Sequence, residues 1–135
     1  MKQFFTLFCL VCTIPYLTQG QNGMDLKITE VIIKPEAPKV GDALVISYKV
    51  FNTGNTVISG GSYSVSLTIN KELVSFDDET ETLSVGKSVN YSKLKGYYHK
   101  LIDKKGAYNW EIKVKTKFKD ATPENNIRKG TIMVQ

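Results

Sequence analysis

Apolar and polar residues alternate along most of the chain beyond residue 24, which is the pattern of half-buried β-strands. From Ser62 to Ile69 the even positions carry small polar residues and the odd positions carry large apolar ones. A longer segment from Tyr108 to Phe118 repeats this alternation. Because successive side chains of a strand point to opposite faces, each segment predicts one face in a core and the other in water.

Five further segments show weaker alternation and predict additional strands. Residues 26–33 change phase midway, as a strand with a β-bulge does. The other four are residues 44–50, 73–76, 88–94 and 130–134. Only residues 97–105 have a pattern compatible with a helical turn. Together the seven segments predict an all-β fold, a seven-stranded antiparallel β-sandwich of the immunoglobulin or fibronectin III type.

The first twenty residues have the layout of a secretory signal peptide. Lys2 is the only charged residue before Asp25, and the apolar run that follows it is ended by Pro15. Small residues then occupy the −3 and −1 positions of a cut before Gln21. Because the run is shorter than the ~20 apolar residues of a membrane span, the sequence predicts a cleaved signal peptide over residues 1–20.

Residues 21–135 are predicted to form one domain without a membrane span, secreted, periplasmic or held at the cell envelope. The whole chain has 135 residues, 41% of them hydrophobic and 23% charged, which is typical of a single globular domain. Its two cysteines, Cys9 and Cys12, both lie in the predicted signal peptide, so the core must hold the domain without disulfides. An uncleaved anchor and lipidation at Cys12 are the alternatives to cleavage.

Five short motifs lie between the predicted strands, and their order and spacing form a combined pattern. They are Val40-Gly41-Asp42, Val50-Phe51-Asn52-Thr53-Gly54-Asn55, Leu83-Ser84-Val85-Gly86-Lys87-Ser88, Gly106-Ala107-Tyr108, and Asp120 with Glu124-Asn125-Asn126. In this order they resemble the turns and strand ends of the CARDB domain (cell-adhesion-related domain found in bacteria). The resemblance covers about residues 25–134, nearly all of the predicted mature chain.

The resemblance to CARDB domains implies an immunoglobulin-like sandwich that binds partners outside the cell or at the envelope. It implies no catalytic residues. The motif residues themselves have local roles by their chemistry. Four glycines are expected to accept positive φ at tight connections, and the paired asparagines to hydrogen-bond local backbone in a turn. These glycines are Gly41, Gly54, Gly86 and Gly106.

Catalysis finds little support in the sequence, which predicts neither an enzyme nor a bound cofactor. His99 is the single histidine, and a Ser-His-Asp triad needs a histidine beside a positioned nucleophile. Residues 21–135 contain one histidine and no cysteine, which is too few of the usual ligands to indicate a zinc site, so no metal is predicted. The acidic stretch 77–81 lacks the spacing of a calcium loop and is predicted to be a solvated turn.

A row of lysines is the most distinctive candidate for binding. Lys113, Lys115, Lys117 and Lys119 share one face of the predicted strand at a spacing of about 7 Å, twice the strand rise. This lysine row is able to attract acidic glycans, lipid headgroups or other polyanions, although exposed lysines also keep a strand soluble and prevent edge pairing. Further lysines between 93 and 105 join the row only if the 88–94 strand lies beside it. Nucleic acid is not predicted as a partner, because the chain is predicted to be exported and shows no aromatic stacking platform.

A second candidate is the loop tip formed by Tyr97, Tyr98 and His99, because loops on a rigid sandwich often carry binding residues. The sequence therefore predicts an exported, non-catalytic module that contacts an envelope or extracellular protein or glycan through loops and the lysine row. The alternatives are a small immunoglobulin-like inhibitor and a purely structural module. An inhibitor requires the loops around 52–60, 77–81 and 96–105 to converge at one end of the sandwich.

Overall fold

The computed structural model describes residues 23–92 and 99–135, so the predicted signal peptide lies outside the described residues. Strands account for most of these ranges, and a 3-10 turn at Pro123–Asn126 precedes the last strand. The strands are β1 (Leu26–Lys34), β2 (Ala43–Asn52), β3 (Tyr63–Ile69), β4 (Glu72–Glu79), β5 (Ser88–Tyr91), β6 (His99–Leu101), β7 (Gly106–Thr116) and β8 (Ile127–Val134). No helix in these ranges is long and apolar enough to cross a membrane.

The strands form two antiparallel sheets packed as a sandwich, which confirms the predicted all-β fold. In the first sheet β1 lies along one side of β2, while β5 and β6 share the other side. β5 pairs with residues 48–51 of β2 and β6 with residues 43–45. The second sheet has the order β4-β3-β7-β8. The eighth strand is β6, where the sequence pattern was also compatible with a helical turn.

Period-two alternation sets which residues enter the core. The odd residues of β3 are all buried. In β7 the even residues Tyr108, Ile112 and Val114 are buried and alternate with exposed lysines, as predicted. Trp110, which the alternation from Tyr108 to Phe118 predicts on the core face, is partly buried and extends over Gly130 of β8, where an added Cβ would lie 2.8 Å from the indole Cζ2. The predicted bulge in the first strand is confirmed between Thr29 and Ile32, where the register with β2 shifts.

Four tyrosines are buried in the described part of the chain: Tyr48, Tyr63, Tyr91 and Tyr108. The rings of Tyr48 and Tyr91 stack with centroids 4.9 Å apart and an interplanar angle of 12°. The Tyr91 hydroxyl donates a hydrogen bond of 2.6 Å to Oε1 of Glu79, which is 8% exposed. The prediction of a solvated acidic turn at 77–81 is therefore wrong in part. Residues 77–79 belong to β4, and the sandwich buries the last of them against a tyrosine from the opposite sheet.

The sandwich has two ends, separated by the roughly 30 Å length of β2. The Asn52 end contains the termination of β2 and the start of β3, and the Gly41 end contains the turn before β2. At the Asn52 end the buried Asp25 carboxylate accepts hydrogen bonds from Thr53 Oγ1 (2.7 Å) and Asn125 Nδ2 (3.1 Å). Asp120 Oδ2 accepts one from the Leu26 N–H (3.0 Å). This network ties the segment before β8 to the start of β1.

Candidate functional site

The lysine row lies on the outer face of the second sheet and just beyond it. Lys113 and Lys115 are exposed on β7, directly opposite Ser66 and Ser64 of β3. Lys117 follows the end of β7, where its N–H donates to Ser62 O (2.8 Å) and its Nζ to Gly61 O (2.7 Å). Lys119 is also exposed. Within residues 23–92 and 99–135, no member of the row forms an ion pair.

The structure does not add the later lysines to this row. The row lies on the outer face of the second sheet and just beyond the end of β7, whereas β5 and β6 belong to the first sheet. On β6, Lys100 forms an ion pair with Glu72 of β4 at the Gly41 end, and this hydrogen bond raises the pKa of the Lys100 ammonium group. Lys93 and Lys95 lie outside the described residues. In the described residues, the positively charged surface around the lysine row is therefore smaller than it would be if β5 and β6 lay beside the row.

The predicted aromatic loop tip is only partly described. Tyr97 and Tyr98 lie outside the described residues. His99 is exposed, but it begins β6 and pairs with Val45 instead of lying in a loop. Because β6 belongs to the first sheet, His99 and the lysine row are on different sheets of the sandwich.

In the described residues, the three predicted loop regions do not converge at one end. Residues 52–60 and 77–81 meet at the Asn52 end, where a Cβ added to Gly60 would lie 2.0 Å from Thr80 O. Just beyond the second region, Asn52 Nδ2 donates to Leu83 O (3.1 Å). The described part of the third region lies at the Gly41 end, where the Ile102 N–H donates to Asp42 O (2.9 Å). This separation does not favour the hypothesis of an inhibitor, which requires the three loop regions to lie at the same end.

A small depression adjoins the lysine row on the outer face. Its volume is about 250 Å³ and its lining residues are Tyr63, Ser64, Phe76, Asp78, Lys115 and Lys117. Ser64 lies between Asp78 and Lys115 in the hydrogen-bond register, and Phe76 lies opposite Ser66. Phe76 is 59% exposed, although it is a large aromatic residue in the middle of a strand.

Sequence reasoning did not identify Phe76 as a candidate site residue, and it considered Asp78 only within the acidic stretch 77–81. The alternation in residues 73–76 was weak, and a bulge shifts the register of β4 against β3 between Leu67 and Thr68. The face on which Phe76 lies depends on that bulge. A large aromatic residue ending a weakly alternating segment was the one available signal, and it did not tell an outward ring from a core ring.

A larger depression of about 450 Å³ lies towards the Gly41 end of the second sheet. Its lining residues are Thr68, Lys71, Asn109, Trp110, Glu111, Lys129, Gly130 and Thr131. Several of its polar groups are already paired, since Thr131 Oγ1 donates to Asn109 Oδ1 (2.7 Å) and the Asn109 N–H donates to Asn70 Oδ1 (2.9 Å). These hydrogen bonds occupy polar groups of Asn70, Asn109 and Thr131 that a ligand would otherwise contact.

Several residues of the turn motifs gather at the Asn52 end, where they make structural contacts. Asn52 is fully buried, and its side chain bonds Thr56 O, Leu83 O and the Gly54 N–H. The expectation of local bonding by the paired asparagines is wrong for Asn125, which reaches Asp25. Three motif glycines have the expected positive φ: +95° for Gly41, +72° for Gly86 and +118° for Gly106.

Gly54 is the exception among the motif glycines, because its φ is not positive. Glycine is needed there for a different reason. A Cβ at this position would lie 2.2 Å from Gly23 O and 2.8 Å from Asp25 N. The prediction of positive φ at this position is therefore wrong, and close backbone approach replaces it as the physical cause.

Among the described residues, no group of three or more His, Cys, Asp or Glu side chains is placed to hold a metal ion. The chain is similar in structure to the CARDB domain of a Pyrococcus furiosus protein, solved in complex with di-metal ions. The two agree with a TM-score of 0.67 at 18% identity over 83% of this chain and 89% of that one. The chain has the fold of CARDB domains.

Two further solved structures agree with this CARDB fold. The solution structure of the same Pyrococcus furiosus domain gives a TM-score of 0.63 at 19% identity, over 82% of this chain and 95% of that chain. A domain of a Methanosarcina acetivorans protein assigned to the cell surface gives 0.59 at 18% identity, over 83% and 94%. No protein-family model and no curated protein sequence matches the chain.

Proposed function

We propose that residues 21–135 form an exported, non-catalytic binding module that acts at the cell envelope or outside the cell. Its partner is an anionic protein or glycan, and its principal contact surface is the lysine row. The observation that carries this proposal is that all four lysines are exposed and none forms an ion pair with a described residue. A row of uncompensated positive charge favours association with a polyanion through its summed field.

The fold and its relatives support a location at the surface. A CARDB-like sandwich is a rigid scaffold, and the solved relatives include a domain of a protein assigned to the cell surface. The predicted signal peptide over residues 1–20 agrees with export. The predicted contact at Tyr97, Tyr98 and His99 stays a second proposal. Its one described residue, His99, begins a strand of the first sheet and so lies apart from the lysine row.

The lysine row is tested by replacing Lys113, Lys115, Lys117 and Lys119 with Gln in the full chain as cells produce it. Binding to polyuronate- and polyglutamate-coated surfaces is measured at low and high salt. At ~0.5 kcal/mol for each exposed charge contact, the four substitutions should weaken binding about 30-fold at low salt. High salt should remove most of the difference because it screens exposed charges.

A matched variant controls for net charge. It carries Gln at four exposed lysines outside the strands of the second sheet, Lys27, Lys39, Lys87 and Lys105. It has the same net charge as the first variant but keeps the lysine row, so it should bind nearly as well as the unmodified chain. Equal loss in both variants would show that net charge and not the row drives binding. No binding by the unmodified chain would favour a purely structural module.

A further inference from the structure

The depression beside Lys115 and Lys117 combines three kinds of chemistry within one small space. The two lysines supply positive charge and hydrogen-bond donors, and Lys117 still has donors left after its bond to Gly61 O. Asp78 supplies carboxyl oxygens as acceptors, and Phe76 supplies an exposed aromatic surface. Few ligands match all three at once.

The charges in this depression are held apart by the sheet. Asp78 and Lys115 both lie opposite Ser64, so their backbones are separated by two strand spacings, about 10 Å. The side chains of Asp78 and Lys115 form neither a hydrogen bond nor an ion pair with each other or with any other residue in the described ranges. Both therefore remain open to a ligand that lies across Ser64.

The volume limits the size of the ligand. At about 250 Å³ the depression is smaller than the ~300–1,000 Å³ pockets that hold drug-sized molecules. It fits one small ring or one side chain of a polymer that continues over the sheet. The row Lys113, Lys115, Lys117 and Lys119 then provides further positive charge along the direction of such a polymer.

We propose that this depression binds one acidic sugar residue, a uronate, of an anionic glycan. The inference rests on the proposed function and names the partner class of the same surface. The ring of the sugar packs on Phe76, its carboxylate lies by Lys115 and Lys117, and its hydroxyls donate to Asp78. An acidic peptide matches less well, because its carboxylates would meet Asp78 with no hydroxyl donors to offset the repulsion.

The substitution D78N distinguishes a uronate glycan from an acidic peptide, because the two partners predict opposite changes in affinity. If a sugar hydroxyl donates to the carboxylate, D78N should weaken binding of a uronate oligomer about tenfold, as expected for loss of a hydrogen bond to a charged group. If the ligand is only a polyanion, D78N removes a repulsive charge and should strengthen binding. Calorimetry of the full chain with galacturonate, alginate and hyaluronan oligomers measures this directly.

Phe76 has a matched control on its own strand. Leu73 is also 59% exposed on β4 but does not line the depression. F76A should lower affinity for the bound uronate oligomer about tenfold through loss of buried apolar area, whereas L73A should leave it unchanged. Urea unfolding of both variants checks that they remain folded. Equal effects of F76A and L73A would contradict a ring contact at Phe76.

Two comparison probes make the outcomes distinguishable. A neutral galactose oligomer should bind at least tenfold more weakly than the uronate oligomer. Equal affinity for poly-L-glutamate and the uronate oligomers, or stronger binding of the uronate oligomers by D78N, would overturn the sugar assignment and leave the lysine row as a general anion surface. Failure to bind any of the anionic probes would instead contradict the proposed function itself.

Discussion

At the scale of single residues, position 54 requires glycine because backbone atoms pack directly against it. Asn52 and Thr53 hold this turn against the segment before β1, since Thr53 Oγ1 bonds the Asp25 carboxylate. The close contact between this turn and the segment before β1 leaves no room for a side chain at position 54, because Gly23 O would lie 2.2 Å from an added Cβ. The clash is with backbone, which cannot move aside as a flexible side chain can.

Replacement of Gly54 by Ala should therefore destabilise the fold by about 1–3 kcal/mol, the usual cost of overpacking. Urea unfolding followed by circular dichroism gives the free energy of unfolding. The comparison variant is Gly86→Ala, where an added Cβ meets no atom within 4 Å and only the positive φ of +72° opposes it. Its cost should be about 1–2 kcal/mol from backbone conformation alone. Unchanged stability in Gly54→Ala would contradict the close approach.

Single residues also show why the sequence predicted only part of the candidate site. Lys113 and Lys115 were predicted correctly as exposed because alternation within one strand is a local property. Phe76 and Asp78 lie beside them through the register of β4 on β3. That register includes a bulge, and a bulge changes which face a residue occupies without leaving a clear mark in the sequence.

At the scale of elements, buried tyrosines connect the two sheets. Tyr48 and Tyr91 stack between β2 and β5, and Tyr91 bonds Glu79 of β4 in the opposite sheet. Burial raises the pKa of the Tyr91 hydroxyl well above its usual range, and burial raises that of Tyr63 to about 12. These hydroxyls stay protonated in the fold at a pH where unfolded tyrosines ionise.

Stability should consequently fall in alkali. The tyrosine pKa in the unfolded chain is about 10, below the folded value for Tyr63 of about 12. The unfolded chain releases its protons first, so this contribution is complete below pH ~10 and is lost as pH rises through ~12. Urea unfolding across this range measures the loss, and Tyr63→Phe should reduce it. Ionisation of every tyrosine near pH 10 in the folded chain, followed by ultraviolet absorbance, would contradict the burial.

β5 and β6 show how far the sequence predicts elements. The segment 88–94 was predicted as one strand; β5 covers Ser88–Tyr91 of it, and residues 93 and 94 lie outside the described residues. β6 follows on the same side of β2 and was predicted as loop or helical turn. Three residues are too few to show a period, so β6 depends on the exposed edge of β2 that it pairs with.

At the scale of the whole molecule, export remains a prediction from the first twenty residues. Secretion by the cells that produce the chain should leave Gln21 as the first residue, because Thr18 and Gly20 supply the small positions that a signal peptidase needs. Intact mass and amino-terminal sequencing measure the cut. Gly20→Trp should block it. Recovery of the unmodified chain with Met1 in the membrane fraction would indicate an uncleaved anchor, and a lipid mass on Cys12 would indicate lipidation.

The sequence by itself determined the all-β class, most strands and the exposed face of β7, because period-two alternation and turn residues act within a few positions of one another. The tertiary structure decided which strands became neighbours. It placed His99 in the first sheet, away from the lysine row, and brought Phe76 and Asp78 to Lys115. These contacts join residues far apart in the chain, and they are fixed by strand order and register, which local patterns do not encode.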